Sequence, residues 1–188
     1  MKIGGVLLAS GAGTRFGGNK LLVPVDGVPL YRRAMAVLAG AGLDRLAVCS
    51  ACEEMLSAGA EYGFLPLYNP GAAEGVSASI RLGLEHMADM DGVLFSVCDQ
   101  PWLTTESIIR LKNAFLKSKA AICALSWQGV RGNPVIFPRD LFGELAALTG
   151  DVGGAAVIRA HPDRLALVEA SSHRELADVD TPADLMND

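Results

Sequence analysis

The stretch Leu8-Ala9-Ser10-Gly11-Ala12-Gly13-Thr14-Arg15-Phe16-Gly17-Gly18-Asn19-Lys20 carries four glycines in eight residues and two cations. Glycine lets a backbone turn sharply and bring bare N–H groups against a ligand. Such N–H groups, with Arg15 and Lys20 beside them, make a site for polyanions, most often phosphates. Two familiar phosphate loops do not fit. A Walker loop needs Ser or Thr directly after its lysine, and Leu21 stands there. A dinucleotide fingerprint needs G-x-G-x-x-G, whereas Gly11, Gly13 and Gly17 are spaced G-x-G-x-x-x-G. The bland alternative is a turn-rich loop with two solvated cations.

Carboxylates supply the opposite charge. Asp99 follows an apolar run in Ser96-Val97-Cys98-Asp99-Gln100-Pro101, where Pro101 cannot donate to a sheet ladder and stops the strand. Hard carboxylate oxygen suits Mg²⁺, usually shared with waters and substrate phosphates. Asp178-Val179-Asp180-Thr181-Pro182 offers two more carboxylates, on one side if the segment is extended. One of them could cap the helix that Pro182 starts while the other binds metal. In Gly71–Ile80, Ser77 and Ser79 could meet a sugar or phosphate at a helix's positive end, although Ser77 serves equally well as a plain N-cap. Arg131, Asn133 and Asp151 fall in turns late in the chain and could face an acceptor. Cys49 and Cys52 form a C-x-x-C, but Cys98 and Cys123 stand singly, so ordinary half-buried thiols are the expectation. His86, His161 and His173 share no ligand spacing.

Strand-like runs at 3–9, 45–49, 64–68, 92–97 and 121–125 alternate with helix-like spacing at 30–38, 53–61, 76–87 and 107–116. That alternation predicts an α/β fold with a mostly parallel central sheet and helices on both faces. Ligands then bind at the carboxyl ends of the strands, where the loops above fall. Thr104-Thr105-Glu106-Ser107 reads as a helix start, 127–134 as a turn-rich hairpin or edge excursion into 135–137, and 142–148, 153–159 and 164–168 as helix, helix and strand.

The 188 residues suit a single domain with a substantial core, and 51% hydrophobic content argues against disorder. The net charge of −5 disfavours a general nucleic-acid binder. No apolar run approaches a membrane span and no signal peptide is evident, so the expected compartment is the cytoplasm.

Together these segments resemble the molybdenum cofactor nucleotidyltransferases, in particular the cytidylyltransferase branch. Leu8–Lys20 is similar to the family's L-A-A/G-G-x-x-x-R-M-G-x-x-K, with Phe16 for methionine, and Gly75–Ile80 to its G-M-x-x-S-L. Asp99-Gln100-Pro101, Arg131-Gly132-Asn133-Pro134, Leu148–Gly153 and Asp178–Pro182 resemble D-Q-P, R-G-N-P, L-x-G-D-x-G and D-I-D-T-P, in that order along the chain. The resemblance implies a Rossmann-like three-layer nucleotidyltransferase fold over residues 1–188. It implies transfer of CMP from CTP to the terminal phosphate of molybdenum-bearing molybdopterin, with a molybdoenzyme or its maturation factor as recipient. Leu8, Ala9, Ser10, Gly11, Gly13, Lys20, Asn69, Gly75 and Ser79 would bind nucleotide. Arg15, Lys20 and Asp99 would act in catalysis, and Asp99 with Asp180 would hold Mg²⁺. Ser10 departs from the family, which has alanine in the cytidylyl and glycine in the guanylyl branch, so GTP- or sugar-1-phosphate-dependent transfer stays open. The other rivals are a dinucleotide-dependent oxidoreductase and a non-enzymatic carrier of the pterin cofactor.

Overall fold

The computed structural model describes residues 1–10, 20–118 and 121–185. The strands are β1 (Ile3–Leu8), β2 (Pro24–Val25), β3 (Val28–Pro29), β4 (Arg45–Ser50), β5 (Leu65–Tyr68), β6 (Gly92–Val97), β7 (Ile122–Trp127), β8 (Val130–Pro138) and β9 (Leu165–Glu169). The helices are α1 (Leu30–Ala39), α2 (Glu53–Glu61), α3 (Val76–Glu85), α4 (Thr105–Ser118), α5 (Phe142–Ala146) and α6 (Ala155–Ala160). Seven strands form one sheet in the order β5-β4-β1-β6-β8-β7-β9, and β2 and β3 pair as a separate small ribbon. Every pairing in the large sheet is parallel except the two made by β8.

Alternation along the strands splits the core into two layers. Ile3 and Leu7 of β1 pack with Tyr31, Met35 and Leu38 of α1, Met55 of α2 and Ile108, Leu111 and Phe115 of α4. Val6 points the other way, toward Ile80 and Leu84 of α3, Leu145 of α5 and Val157 and Ile158 of α6. A strand buried on both faces has no polar alternation to show, and so reads as a continuous apolar run. Thr104 Oγ1 accepts the Ser107 N–H at 3.3 Å and so caps α4, as its sequence suggests.

Of the two readings of the segment after β7, the structure has the hairpin and not the edge excursion, but with a far shorter turn than 127–134. The turn is only Gln128-Gly129, both at positive φ (49° and 80°), the form a two-residue hairpin favours. Arg131 and Asn133 therefore lie on β8, which inserts between β6 and β7. Pro134 cannot donate to a ladder, and the register shifts between Ala124 and Ser126 opposite it. β1, β4, β5 and β6 run parallel, so the loops after them, the start of β8 and the arm after β9 share one sheet edge.

Candidate active site

Lys20 opens a short 3₁₀ turn pinned by buried Leu21. Its Nζ donates to Asp99 Oδ2 at 2.8 Å, Asp180 Oδ1 at 3.0 Å and the Val179 carbonyl at 3.2 Å. Burial works against the ammonium charge, yet the hydrogen bonds and charges of the two carboxylates outweigh it and hold Lys20 above its ordinary range. Asp99 arrives on the loop that leaves β6. Asp180 arrives from the C-terminal arm, whose buried Val179 donates its N–H to the Asp99 carbonyl at 2.8 Å. Asp178 lies beside them: its Oδ1 accepts from Gln100 Nε2 at 3.0 Å, and burial together with the Asp99 charge raises its carboxyl. Among the described residues no three His, Cys, Asp or Glu side chains cluster to hold a metal. Of the described carboxylates, Asp99 and Asp180 converge on the Lys20 nitrogen.

A cavity of about 530 Å³ adjoins this cluster, with Ser10, Gly75, Val76, Ser79 and Asp151 in its wall. Along that wall Asn69 Nδ2 donates to Ser79 Oγ (2.9 Å), Ser79 to Ser10 Oγ (3.0 Å), and Ser10 to the Cys49 carbonyl (3.2 Å). The ends fix the direction, because an amide N–H can only donate and a carbonyl can only accept. Leu8, Ser10, Lys20, Gly75, Ser79 and Asp99 all line the cavity, while Ala9 and Asn69 are buried behind it. Gly11, Gly13 and Arg15 lie outside the described residues.

Ser77 corrects its sequence reading as cap or ligand. It is fully buried inside α3, and its hydroxyl accepts from Arg81 at 3.3 Å. The positive end of α3 is held instead by the turn at Gly150-Asp151. The Asp151 Oδ1 accepts the Val76 N–H and the Gly150 carbonyl accepts the Ser77 N–H, each at 3.3 Å. A second correction concerns the arm. Among the described residues it is Asp184, not Asp178 or Asp180, that braces the start of the turn after Thr181, reaching back to accept from the Asp180 N–H (2.9 Å), the Thr181 N–H (2.7 Å) and the Thr181 hydroxyl (3.0 Å).

Sequence reasoning missed Glu175. It is 2% exposed, yet its carboxylate accepts from Ser107 Oγ, Thr104 Oγ1 (3.0 Å) and the Ser171 N–H (2.9 Å). These bonds tie the arm to the start of α4, and Arg174 stacks over Trp102 at 4.4 Å beside them. Desolvation pushes the Glu175 carboxyl up, but the donors more than offset it and the net direction is down. A carboxyl lowered on folding stabilises above its unfolded value, and that contribution is lost as pH falls through the folded one. Glu175→Gln should cost about 2–3 kcal/mol by turning an amide N–H₂ toward buried donors. It should also flatten the loss of stability on acidification below about pH 4.5. Urea melts across pH test both; an unchanged acid limb would remove Glu175 as its source.

A second cavity of about 220 Å³ shares Leu8, Val76 and Val97 with the first. Phe95, Val135 and Phe137 give it an apolar floor, and Arg131 and Asn133 of β8 line it. Asp151 lines the first cavity rather than this one. The C-x-x-C pair has no reactive thiol at Cys49, which burial pushes up to about 12, and Cys49 and Cys52 are both free.

An open α/β sheet with a lysine–carboxylate cluster and a cavity of about 530 Å³ at the carboxyl ends of its strands belongs to the class of α/β proteins that bind ligands at that edge. Residues 5–165 match the model of the MobA-like NTP transferase domain, and the chain belongs to that family. The purine catabolism protein PucB of Bacillus subtilis (strain 168) is 26% identical over 95% of this chain and 91% of its own. The nicotine blue oxidoreductase of Paenarthrobacter nicotinovorans is 30% identical over 94% of this chain and 91% of its own. The molybdenum cofactor guanylyltransferase of Rhodobacter capsulatus is 33% identical over 61% of this chain and 60% of its own. Among solved structures, Rv0371c of Mycobacterium tuberculosis H37Rv superposes with a TM-score of 0.82 at 28% identity, covering 99% of this chain and 96% of that one. Its complex with manganese gives 0.78 at 25% identity, covering 99% and 97%. No helix among the described residues is long and apolar enough to cross a membrane.

Proposed function

We propose that the chain, acting as a single domain, transfers CMP from CTP to the terminal phosphate of a molybdopterin-type acceptor and releases pyrophosphate. The observation that carries the reading is the convergence of Lys20, Asp99 and Asp180 at one end of the larger cavity, with a second cavity sharing its wall. An acceptor phosphate oxygen attacks the α-phosphorus in line; the bond to the bridging β-phosphate oxygen breaks and pyrophosphate leaves. No covalent nucleophile is needed, so catalysis consists of positioning and charge neutralisation. Lys20 and Arg15 neutralise charge on the triphosphate and the departing pyrophosphate, the hydroxyl wall of Ser10 and Ser79 serves the nucleoside, and Arg131 and Asn133 serve the acceptor. Asp99 and Asp180 suit Mg²⁺, because two hard oxygens lie within 3.0 Å of a point that already holds a positive nitrogen. Bound there, the ion would add its charge to that of Lys20 on the phosphates. The manganese complex of the similar structure Rv0371c supports a divalent ion here. Free, largely buried thiols accord with a reducing compartment, and we assign the protein to the cytoplasm.

Two segments of the cytidylyl type, Asp99-Gln100-Pro101 and Arg131-Gly132-Asn133-Pro134, support cytidine as the base despite Ser10. The guanylyltransferase relative keeps GTP as the competing donor. Pyrophosphate release should be fastest with CTP among the four nucleoside triphosphates and should depend on the pterin acceptor. Faster release with GTP at equal concentration would overturn the assignment of the base. The oxidoreductase relative at 30% identity supports a second reading, redox chemistry on the same fold. Oxidation of reduced nicotinamide without pyrophosphate release would favour it.

A further inference from the structure

The Lys20 ammonium has three protons, and each has a described acceptor: Asp99 Oδ2 at 2.8 Å, Asp180 Oδ1 at 3.0 Å and the Val179 carbonyl at 3.2 Å. No proton is left over for a phosphate. The same nitrogen sits where a divalent ion held by those two oxygens would have to sit, so the lysine cannot stay while the ion enters. Departure of the lysine alone would leave two carboxylates facing each other with no cation between them among the described residues, Asp99 at 22% and Asp180 at 55% exposure, so that the cost falls mainly on Asp99. Among the described residues an exchange keeps these charges paired: the ammonium moves to a polyphosphate as the carboxylates take a metal.

We propose, resting on the nucleotidyl-transfer reading, that Lys20 is a built-in counter-ion that bars divalent cations from the Asp99–Asp180 pair until a nucleoside triphosphate draws it away. Metal and nucleotide then enter together, and each raises the affinity for the other by the same factor. The arm belongs to the same device. Lys20 grips it at two points, the Val179 carbonyl and the Asp180 carboxylate, so the ammonium that guards the carboxylate pair also ties down the arm.

The device predicts an effect of unusual sign: removing a cation from the site should improve metal binding while spoiling nucleotide binding. The test is titration of the full-length chain with Mn²⁺ alone, free Mn²⁺ being read by electron paramagnetic resonance. Lys20→Met, which keeps the length and loses the charge, should bind Mn²⁺ at least about tenfold more tightly than the parent, with the negative charge at the site no longer offset. Lys20→Arg, which keeps the charge, should bind as weakly as the parent. Lys20→Met combined with Asp180→Asn should lose the gain. Lys20→Gln, neutral but able to hold one carboxylate by a hydrogen bond, provides the same comparison should the methionine variant melt early. Equal Mn²⁺ affinity in the parent and the folded neutral variants would overturn the counter-ion role and leave the carboxylates' metal role standing. Absence of Mn²⁺ binding in the folded neutral variants would overturn both.

Discussion

Asp99→Asn should lower turnover by about a hundredfold or more, the scale seen when one electrostatic partner of a transition state is removed. The substitution keeps the size and one acceptor oxygen but takes away the charge on which both Lys20 and a divalent ion depend. Asp99 receives Lys20 Nζ at 2.8 Å and holds the arm through its own carbonyl, which the side-chain change leaves in place. The backbone scaffold should therefore survive, with a stability loss of about 1–2 kcal/mol from the weakened hydrogen bond. Raising Mg²⁺ should restore part of the rate if metal affinity is the main loss. Asp180→Asn should behave alike but more mildly, because Asp180 is 55% exposed where Asp99 is 22% exposed. Steady-state rates against Mg²⁺, beside thermal melts, decide. Near-normal turnover in the Asp180 variant would pass the second ligand role to Asp178, which lies against the same charges.

The elements were legible where one signal dominates. Glu53–Glu61 and Gly92–Val97 occur with the bounds their patterns suggest, because an amphipathic helix and a doubly buried strand each leave a local period. Lys20 and Asp99 were legible as residue types beside strand ends, and the family resemblance paired Asp99 with Asp180, but the grip of Lys20 on both carboxylates was not legible. Their meeting depends on Val179 docking onto the Asp99 backbone, a contact between residues 80 apart with no local trace. Glu175 was hidden for a related reason. His173-Arg174-Glu175-Leu176 looks like a solvated charged stretch, and the two hydroxyls that hold its carboxylate, of Thr104 and Ser107, lie about 70 residues earlier. Arg131 and Asn133 were misplaced because Gly132 and Pro134 are strong turn formers. The strand tolerates them because a register shift in the hairpin takes up the missing donor. Ser77 misled because a hydroxyl at a helix start commonly caps it, whereas here the backbone of a distant turn does so.

That turn makes Gly75 the residue whose replacement should damage the fold of the site most. Gly75 precedes α3 with φ 112° and ψ 177°, a region that is almost closed to residues with a Cβ. Space is denied as well: a Cβ there would lie 2.5 Å from the carbonyl carbon and oxygen of Gly150 and 2.6 Å from the Asp151 nitrogen. Those atoms are backbone and cannot rotate aside. They also belong to the turn that accepts the Val76 and Ser77 N–H groups, so yielding to the methyl group would uncap α3. Gly75→Ala should therefore cost about 3 kcal/mol or more, adding backbone strain to overpacking and the loss of a helix cap. Gly150→Ala is the informative comparison. Its φ of 61° carries the ordinary left-handed penalty, but nothing lies within 4 Å of the added carbon, so its cost should be about 1 kcal/mol. Denaturant melts of both variants separate the two effects. Similar losses would mean that strain alone matters at Gly75 and that the turn can give way. A much larger loss at Gly75, with weakened nucleotide binding in whatever remains folded, is the outcome expected of a junction that fixes α3, the turn and the cavity wall together.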